Sequence, residues 1–315
     1  MDDYKARTLR SLMEFLNREG FSTLGLEPQT YSSFDLVARR DRLKFIIKIL
    51  QNIDTLRLVN AAELLRIGRL TSSAPVIVGE KSGSGQLERG IVYYRHQVPI
   101  LSYDSFVDYV NGEPPFISSG PGGYYVAING NRLRDVRERA GYSIGYLSKK
   151  IGISRRSVSL YENGSQVSVE VFAKLEEILN EDLAKYVDLM EICLRSNLDE
   201  GNENFSGFFR EVLEAMVARG FDFQGVRKSP FDAIAKDMID DFLLVSLMET
   251  LEERARNVIS MMRVGKIFEK DSFVITRANT TKENVGGCPV VTISEIRNSQ
   301  DAEQISRLIE KRKNA

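Results

Sequence analysis

Apolar positions at helical spacing fill the middle of the chain. Leu133 and Val136 mark a first segment, Leu147 and Ile151 a second, and Val158 and Tyr161 a third. Val171, Phe172, Leu175, Ile178 and Leu179 mark a fourth. Separations of three and four residues are those of one buried helix face, so four short helices are predicted. Gly141 closes the first, Ser143 is placed to cap the second, and Ser154 the third. Between them Gly152 suits a turn with positive φ, where a side chain would clash. Asn163 and Gly164 stop the third helix. The apolar spacing then runs on through "LAKYVDLMEICL", read as a connector or dimer helix. On either side the pattern shortens to strand-like runs, and the order helix, strand, strand, strand, helix, strand, strand is predicted in both flanks.

Two stretches interrupt these patterns. "NGEPPFISSGPGGYY" (111–125) packs Pro, Gly and Ser into a loop, and "LDEGNENFSG" (198–207) is polar with Gly and Asn. They divide the chain into domains at 1–112, 124–198 and 205–315. A length of 315 residues agrees with more than one domain, and 43% apolar with 28% charged residues is an ordinary globular composition. No apolar run approaches the roughly 20 residues of a membrane span. Cys193 and Cys288 read as buried free thiols of a cytoplasmic protein. With His96 as the one histidine, read as structural or surface-exposed, no metal site and no cofactor are expected. "GEKSGSGQ" lacks the residue order of a phosphate-binding loop and reads as a turn.

Charge changes the picture of the middle segment. The net charge is −1, yet residues 130–164 hold eight basic side chains (Arg132, Arg134, Arg137, Arg139, Lys149, Lys150, Arg155, Arg156) against Asp135, Glu138 and Glu162. That is +5 locally and −6 elsewhere, the distribution of a small nucleic-acid reader carried by domains with other roles. The joint spacing of Arg137, Ser143, Leu147, Gly152, Ile153, Ser154, Val158, Ser159 and "ENG" (162–164) closely resembles the helix-turn-helix family typified by Cro and the lambda repressor. The resemblance implies double-stranded DNA as partner, a homodimer, and helix 155–162 in the major groove. It implies base contacts from Arg155, Arg156 and Leu160 and backbone contacts from Ser143, Ser157, Ser159 and Asn163. Arg137 and Glu162 become a bridge between helices. Ile144 stands where the family often has a phosphate-binding glutamine, so that contact is expected to be missing.

The flanks resemble each other. "LMEFLNREGF" (12–21) aligns with "VLEAMVARGF" (212–221), and "FDLVARRDRLKFIIKIL" (34–50) aligns without gaps with "FDAIAKDMIDDFLLVSL" (231–247). Phe34, Asp35, Ala38, Phe45 and Leu50 then recur as Phe231, Asp232, Ala235, Phe242 and Leu247. A duplicated domain is inferred. Its element order resembles the restriction-endonuclease-like fold, particularly archaeal Holliday-junction resolvases, in which helix and strand acids with an acid-x-lysine pair bind a divalent metal and activate water. By that resemblance Glu14, Asp35 and Lys48 form a degenerate centre, because Ile46 replaces the acid of the pair. In the second copy Leu243 and Val245 replace both members. No catalytic residue is expected to be active.

The expected fold is therefore two restriction-endonuclease-like α/β domains flanking an all-α helix-turn-helix bundle. The whole chain resembles archaeal helix-turn-helix transcriptional regulators. The expected function is sequence-specific DNA binding without catalysis, with the nuclease-like domains as scaffold, dimer interface or surface for a protein partner. The alternatives are a metal-dependent, structure-selective nuclease targeted by the reader, and an antitoxin-like assembly module.

Overall fold

The computed structural model describes residues 3–26, 32–195, 205, 207–237, 241–250 and 255–313. Helix α1 (Asp3–Arg18) buries Thr8, Leu12, Phe15 and Leu16, the i, i+4, i+7, i+8 stripe of a one-sided helix. Asp3 in its first turn and Arg18 in its last complement the helix dipole. Three antiparallel strands follow: β1 (Ser22–Gly25), β2 (Leu36–Arg40) and β3 (Leu43–Asn52). Phe45, Ile46, Ile47 and Ile49 of β3 are all buried, so the strand reads as an apolar run rather than an alternation because both its faces are covered. Helix α2 (Leu58–Leu70) and strand β4 (Ala74–Ser82) come next.

The chain resolves into two compact units. One is built from Leu50–Thr55 and Ile77–Leu189. It contains β5 (Gly85–Gln86), β6 (Ile91–Arg95), β7 (Val98–Leu101), α3 (Tyr103–Val110), β8 (Ile117–Gly120) and β9 (Gly123–Val126). Then come α4 (Gly130–Arg139), α5 (Ile144–Ile151), α6 (Arg155–Glu162), β10 (Val167–Ser168) and α7 (Val169–Leu179). Its strands run in the order β4-β7-β6-β8-β9-β10, with β5 hairpinned onto β4. His96 is exposed at the β6–β7 turn, where it and Gln97 both have positive φ (50° and 67°).

The helices close over Leu133, Val136, Leu147, Ile151, Val158, Phe172, Leu175 and Leu179, as the spacing predicts. The expected continuous helix through 183–194 is not formed. Leu183 is buried in the same core, and its carbonyl accepts the Asn129 N–H while Lys185 N–H donates to the Ala127 carbonyl. Those bonds hold the segment extended, and helix α8 begins only at Leu189 (Leu189–Arg195).

The other unit comprises Met1–Ile49, Leu56–Val76 and Met190–Ala315. Its C-terminal part runs α9 (Phe208–Val217), β11 (Asp222–Gly225), β12 (Ala233–Lys236), β13 (Phe242–Met248), α10 (Ala255–Phe268) and β14 (Ser272–Thr276). It ends with β15 (Asn284–Val285), β16 (Cys288–Thr292), α11 (Ile293–Asn298) and α12 (Ala302–Lys313). The sheet order is β11-β12-β13-β14-β16-β15, antiparallel at first and parallel from β13 through β14 to β16. This repeats the chain order of α1 to α3, down to a closing hairpin and a helix after it. Cys288 is buried, and burial pushes its thiol up to about 12. The side chain of Cys193 and most of the 198–207 boundary stretch lie outside the described residues.

The hairpin register corrects the gapless alignment of the flanks. Leu36 lies opposite Ile47, whereas Ala233 lies opposite Val245. Two residues turn the first hairpin, Asp41 and Arg42, but residues 238–240 separate Asp237 from Asp241, whose N–H and carbonyl meet at 3.1 Å. That one extra residue moves every partner on the third strand by one. Phe45 and Leu50 correspond to Leu243 and Met248, Ile46 to Leu244, and Lys48 to Ser246. A one-residue slip exchanges the faces of a strand, so side-chain identity alone cannot set this register.

Candidate nucleic-acid interface and a closed nuclease-type centre

Helices α4, α5 and α6 each begin with a side-chain cap. Asn129, Ser143 and Ser154 accept the backbone N–H groups of Arg132, Tyr146 and Ser157. Gly152 sits at φ 83°, which turns α5 into α6 without a steric penalty. The buried guanidinium of Arg137 forms a two-pronged pair with Glu162 (2.5 and 3.3 Å) and donates to the Tyr142 carbonyl at 2.8 Å. It thereby ties α4 to the end of α6.

Four of the eight basic side chains are paired inside this fold. Glu181 takes Arg132 at 2.9 Å and Arg139 at 3.3 Å, and Glu162 takes Arg137 and, at 3.5 Å, Arg134. Lys150 lies over the rings of Tyr142 and Tyr146. The remaining cations, Lys149, Arg155 and Arg156, are exposed and make no ion pair among the described residues. They stand on α5 and at the start of α6. Leu160 is 45% exposed on the same helix. Ser143 and Asn163 are exposed, Ser157 and Ser159 half-buried. Ser157 shares a 2.9 Å hydroxyl contact with Ser154. Of the expected reader residues, Arg155, Arg156, Ser157, Ser159 and Leu160 fall on α6 and Asn163 at its end, while Ser143 caps α5. Tyr146 is 49% exposed on α5; its aromatic signal was visible in the sequence but carried no motif.

The nuclease-type centre is assembled differently from the expectation. Asp35 and Lys48 do meet, Lys48 Nζ lying 3.1 Å from Asp35 Oδ1. Glu14 is not part of the group: it is exposed, and α1 instead presents Lys5, whose Nζ is 2.7 Å from the same oxygen. Lys5 and Glu14 are nine residues apart, two and a half helical turns, and so point to opposite sides. The other Asp35 oxygen accepts the Ile49 backbone N–H at 2.8 Å. Burial pulls the Lys48 ammonium below its usual pKa, with Asp35 opposing the fall.

A divalent metal does not fit this set. Its one carboxylate is committed to two ammonium groups and an amide, and the position for a second acid holds the fully buried Ile46. Among the described residues no group of three or more His, Cys, Asp or Glu side chains could hold a metal ion.

Asp232 repeats the same lock. Its N–H donates to the Val245 carbonyl at 2.8 Å and its Oδ2 accepts the Leu247 N–H at 2.8 Å, matching Asp35 with Ile47 and Ile49. Ser246, in the place of Lys48, donates its hydroxyl to Asp232 at 3.2 Å. The two parts of this unit also pack reciprocally. The Arg227 N–H and the Arg66 guanidinium reach across to Glu63 (2.7 Å) and Gln224 (2.8 Å), joining α2 to β11 and the loop after it. In the other direction, α10 packs on β1 and β2. Lys44 lies over the ring of Phe242, which occupies the matching ladder position opposite Lys236, and over Phe268. The Lys228 carbonyl accepts the Ser33 N–H at 2.6 Å, two residues from Asp35.

Comparison with known proteins fits both halves of this description. A PD-(D/E)XK superfamily domain matches residues 5–115 and a Helix-turn-helix domain matches residues 133–186. Several archaeal relatives carry the name "Putative HTH-type transcriptional regulatory protein". PTO0557 of Picrophilus torridus is 41% identical over 312 residues, 98% of each chain. Ta1363 of Thermoplasma acidophilum is 40% identical over 313 residues, 99% of each chain. The chain belongs to this archaeal regulator family. MJ1164 of Methanocaldococcus jannaschii is a more distant relative at 32% identity over 282 residues, 88% of each chain. As a family member the chain combines an N-terminal PD-(D/E)XK domain with a helix-turn-helix in a mixed α/β setting. Among the described residues no helix is long and apolar enough to cross a membrane.

Proposed function

We propose that this chain is a non-catalytic, cytoplasmic regulator that binds double-stranded DNA by placing α6 in the major groove. Arg155, Arg156 and Leu160 contact bases, while Ser143, Ser157, Ser159 and Asn163 contact the backbone. One observation carries this reading. The arginines of α4 are absorbed by Glu162 and Glu181, whereas Lys149, Arg155 and Arg156 stay exposed without an ion pair among the described residues. Arginine at the start of a recognition helix can offer two donors to guanine O6 and N7. Residues 205–315 act as a second, equally inactive copy of the nuclease-like domain. The two copies form an inert paired support, leaving the α4–α7 bundle and α8 for contacts between readers in a homodimer.

Selection of bound sequences from genomic fragments yields the preferred site. Arg155→Ala or Arg156→Ala then weakens that site by about 1–3 kcal/mol and relaxes one base position. Equal losses on every sequence would sink base reading. The PD-(D/E)XK match keeps a nuclease as the rival. Cleavage of branched or linear duplexes with Mg²⁺ or Mn²⁺, abolished by Asp35→Ala, would favour it.

A further inference from the structure

Gly145 is the second residue of α5, and nothing in its backbone requires glycine: its φ is not positive. Alanine favours a helix there. The place of a side chain is taken instead by Arg155. A Cβ on Gly145 would lie 3.0 Å from Arg155 Nε, 3.0 Å from a terminal nitrogen and 3.1 Å from Cζ. Three nearly equal distances to the planar group mean that the guanidinium presents its face to the bare backbone of α5. A guanidinium stacked by its face keeps its N–H edge open, and holding it in one orientation lowers the ordering cost of each bond it makes. Arg155 itself is exposed and makes no ion pair among the described residues.

Resting on the DNA-reader reading, we infer that Gly145 is a specificity-determining residue: its missing side chain seats the Arg155 guanidinium against α5 and aims its donor edge at one base of the site, a guanine. Gly145 touches no base and acts as a positioning residue. A β-carbon at 145 has only the far end of a flexible side chain to displace, so the fold tolerates it. The aim of Arg155 does not.

The test uses the full chain and random duplex libraries. Wild type, Gly145→Ala, Arg155→Ala and the double variant are compared for base preference at each position, with circular dichroism melts as the fold control. Gly145→Ala should lower the preference for one guanine by about tenfold, within the range of an arginine–guanine pair. Its binding to unrelated DNA and its melting temperature should not fall. In Arg155→Ala the preference is already lost, and adding Gly145→Ala should change nothing further. A uniform loss on all sequences, or an equal effect of Gly145→Ala with and without Arg155, overturns the inference while leaving DNA reading intact. A wild-type protein without any base preference overturns the reader itself.

Discussion

At the residue scale, Asp35 is held as a structural clamp. It is 3% exposed, with an amide on one oxygen and two ammonium groups on the other. Removing one partner of a buried pair strands the rest, so Asp35→Ala should cost about 3–5 kcal/mol in urea unfolding. A loss below 1 kcal/mol would show the clamp to be idle. Asp35 and Lys48 were legible through the family resemblance, which puts an acid and a lysine on adjoining strands of one centre; the register that sets them opposite each other comes from the fold. The exchange of Glu14 for Lys5 was not, since a helix's rotation about its axis is set by tertiary packing and half a turn decides the outcome. The backbone bond from Ile49 was equally hidden: it depends on a carboxylate turning inward, a choice no residue type dictates.

Among the elements, the caps and the Gly152 turn were readable because they depend on local chemistry, Ser or Asn before a helix and glycine at positive φ. The hairpin register and the 183–188 segment were not, because their outcome lies with distant partners, the third strand in one case and Ala127 and Asn129 in the other. Helices α11 and α12 illustrate a long-range joint of the same kind. Glu295 completes the capping box of α11 with Thr292 and also grips Arg312 of α12 at 2.6 and 3.0 Å. The Arg312 guanidinium and the Thr292 groups beside it hold the Glu295 carboxyl down at about 2, below its ordinary 4.5. A depressed carboxyl stabilises the fold fully above the unfolded value and loses that effect as pH falls towards the folded one. Glu295→Gln should therefore lower stability clearly at pH 7, and the gap from wild type should close between about pH 4.5 and pH 2. Denaturant melts across that window decide it; a gap that stays constant with pH would remove the pair as its cause.

For the whole molecule, the net charge of −1 hides a division of labour among cations. Some arginines hold the reader together and others are left outside it, and a count cannot tell them apart until Glu181 is seen opposite Arg132 and Arg139. The reciprocal packing of residues 3–76 and 207–313 has a further consequence, one of mass action. Partners joined by one chain meet at an effective concentration that does not change with protein concentration. Two separate chains pairing through the same faces would come apart on dilution; these cannot. Hydrogen exchange at the β1 and β2 amides, which α10 covers, should thus run at the same rate in nanomolar and in micromolar protein. Faster exchange in the dilute sample would mean that the covering helix comes from a second molecule. Self-pairing also takes this face out of reach of other copies of the chain.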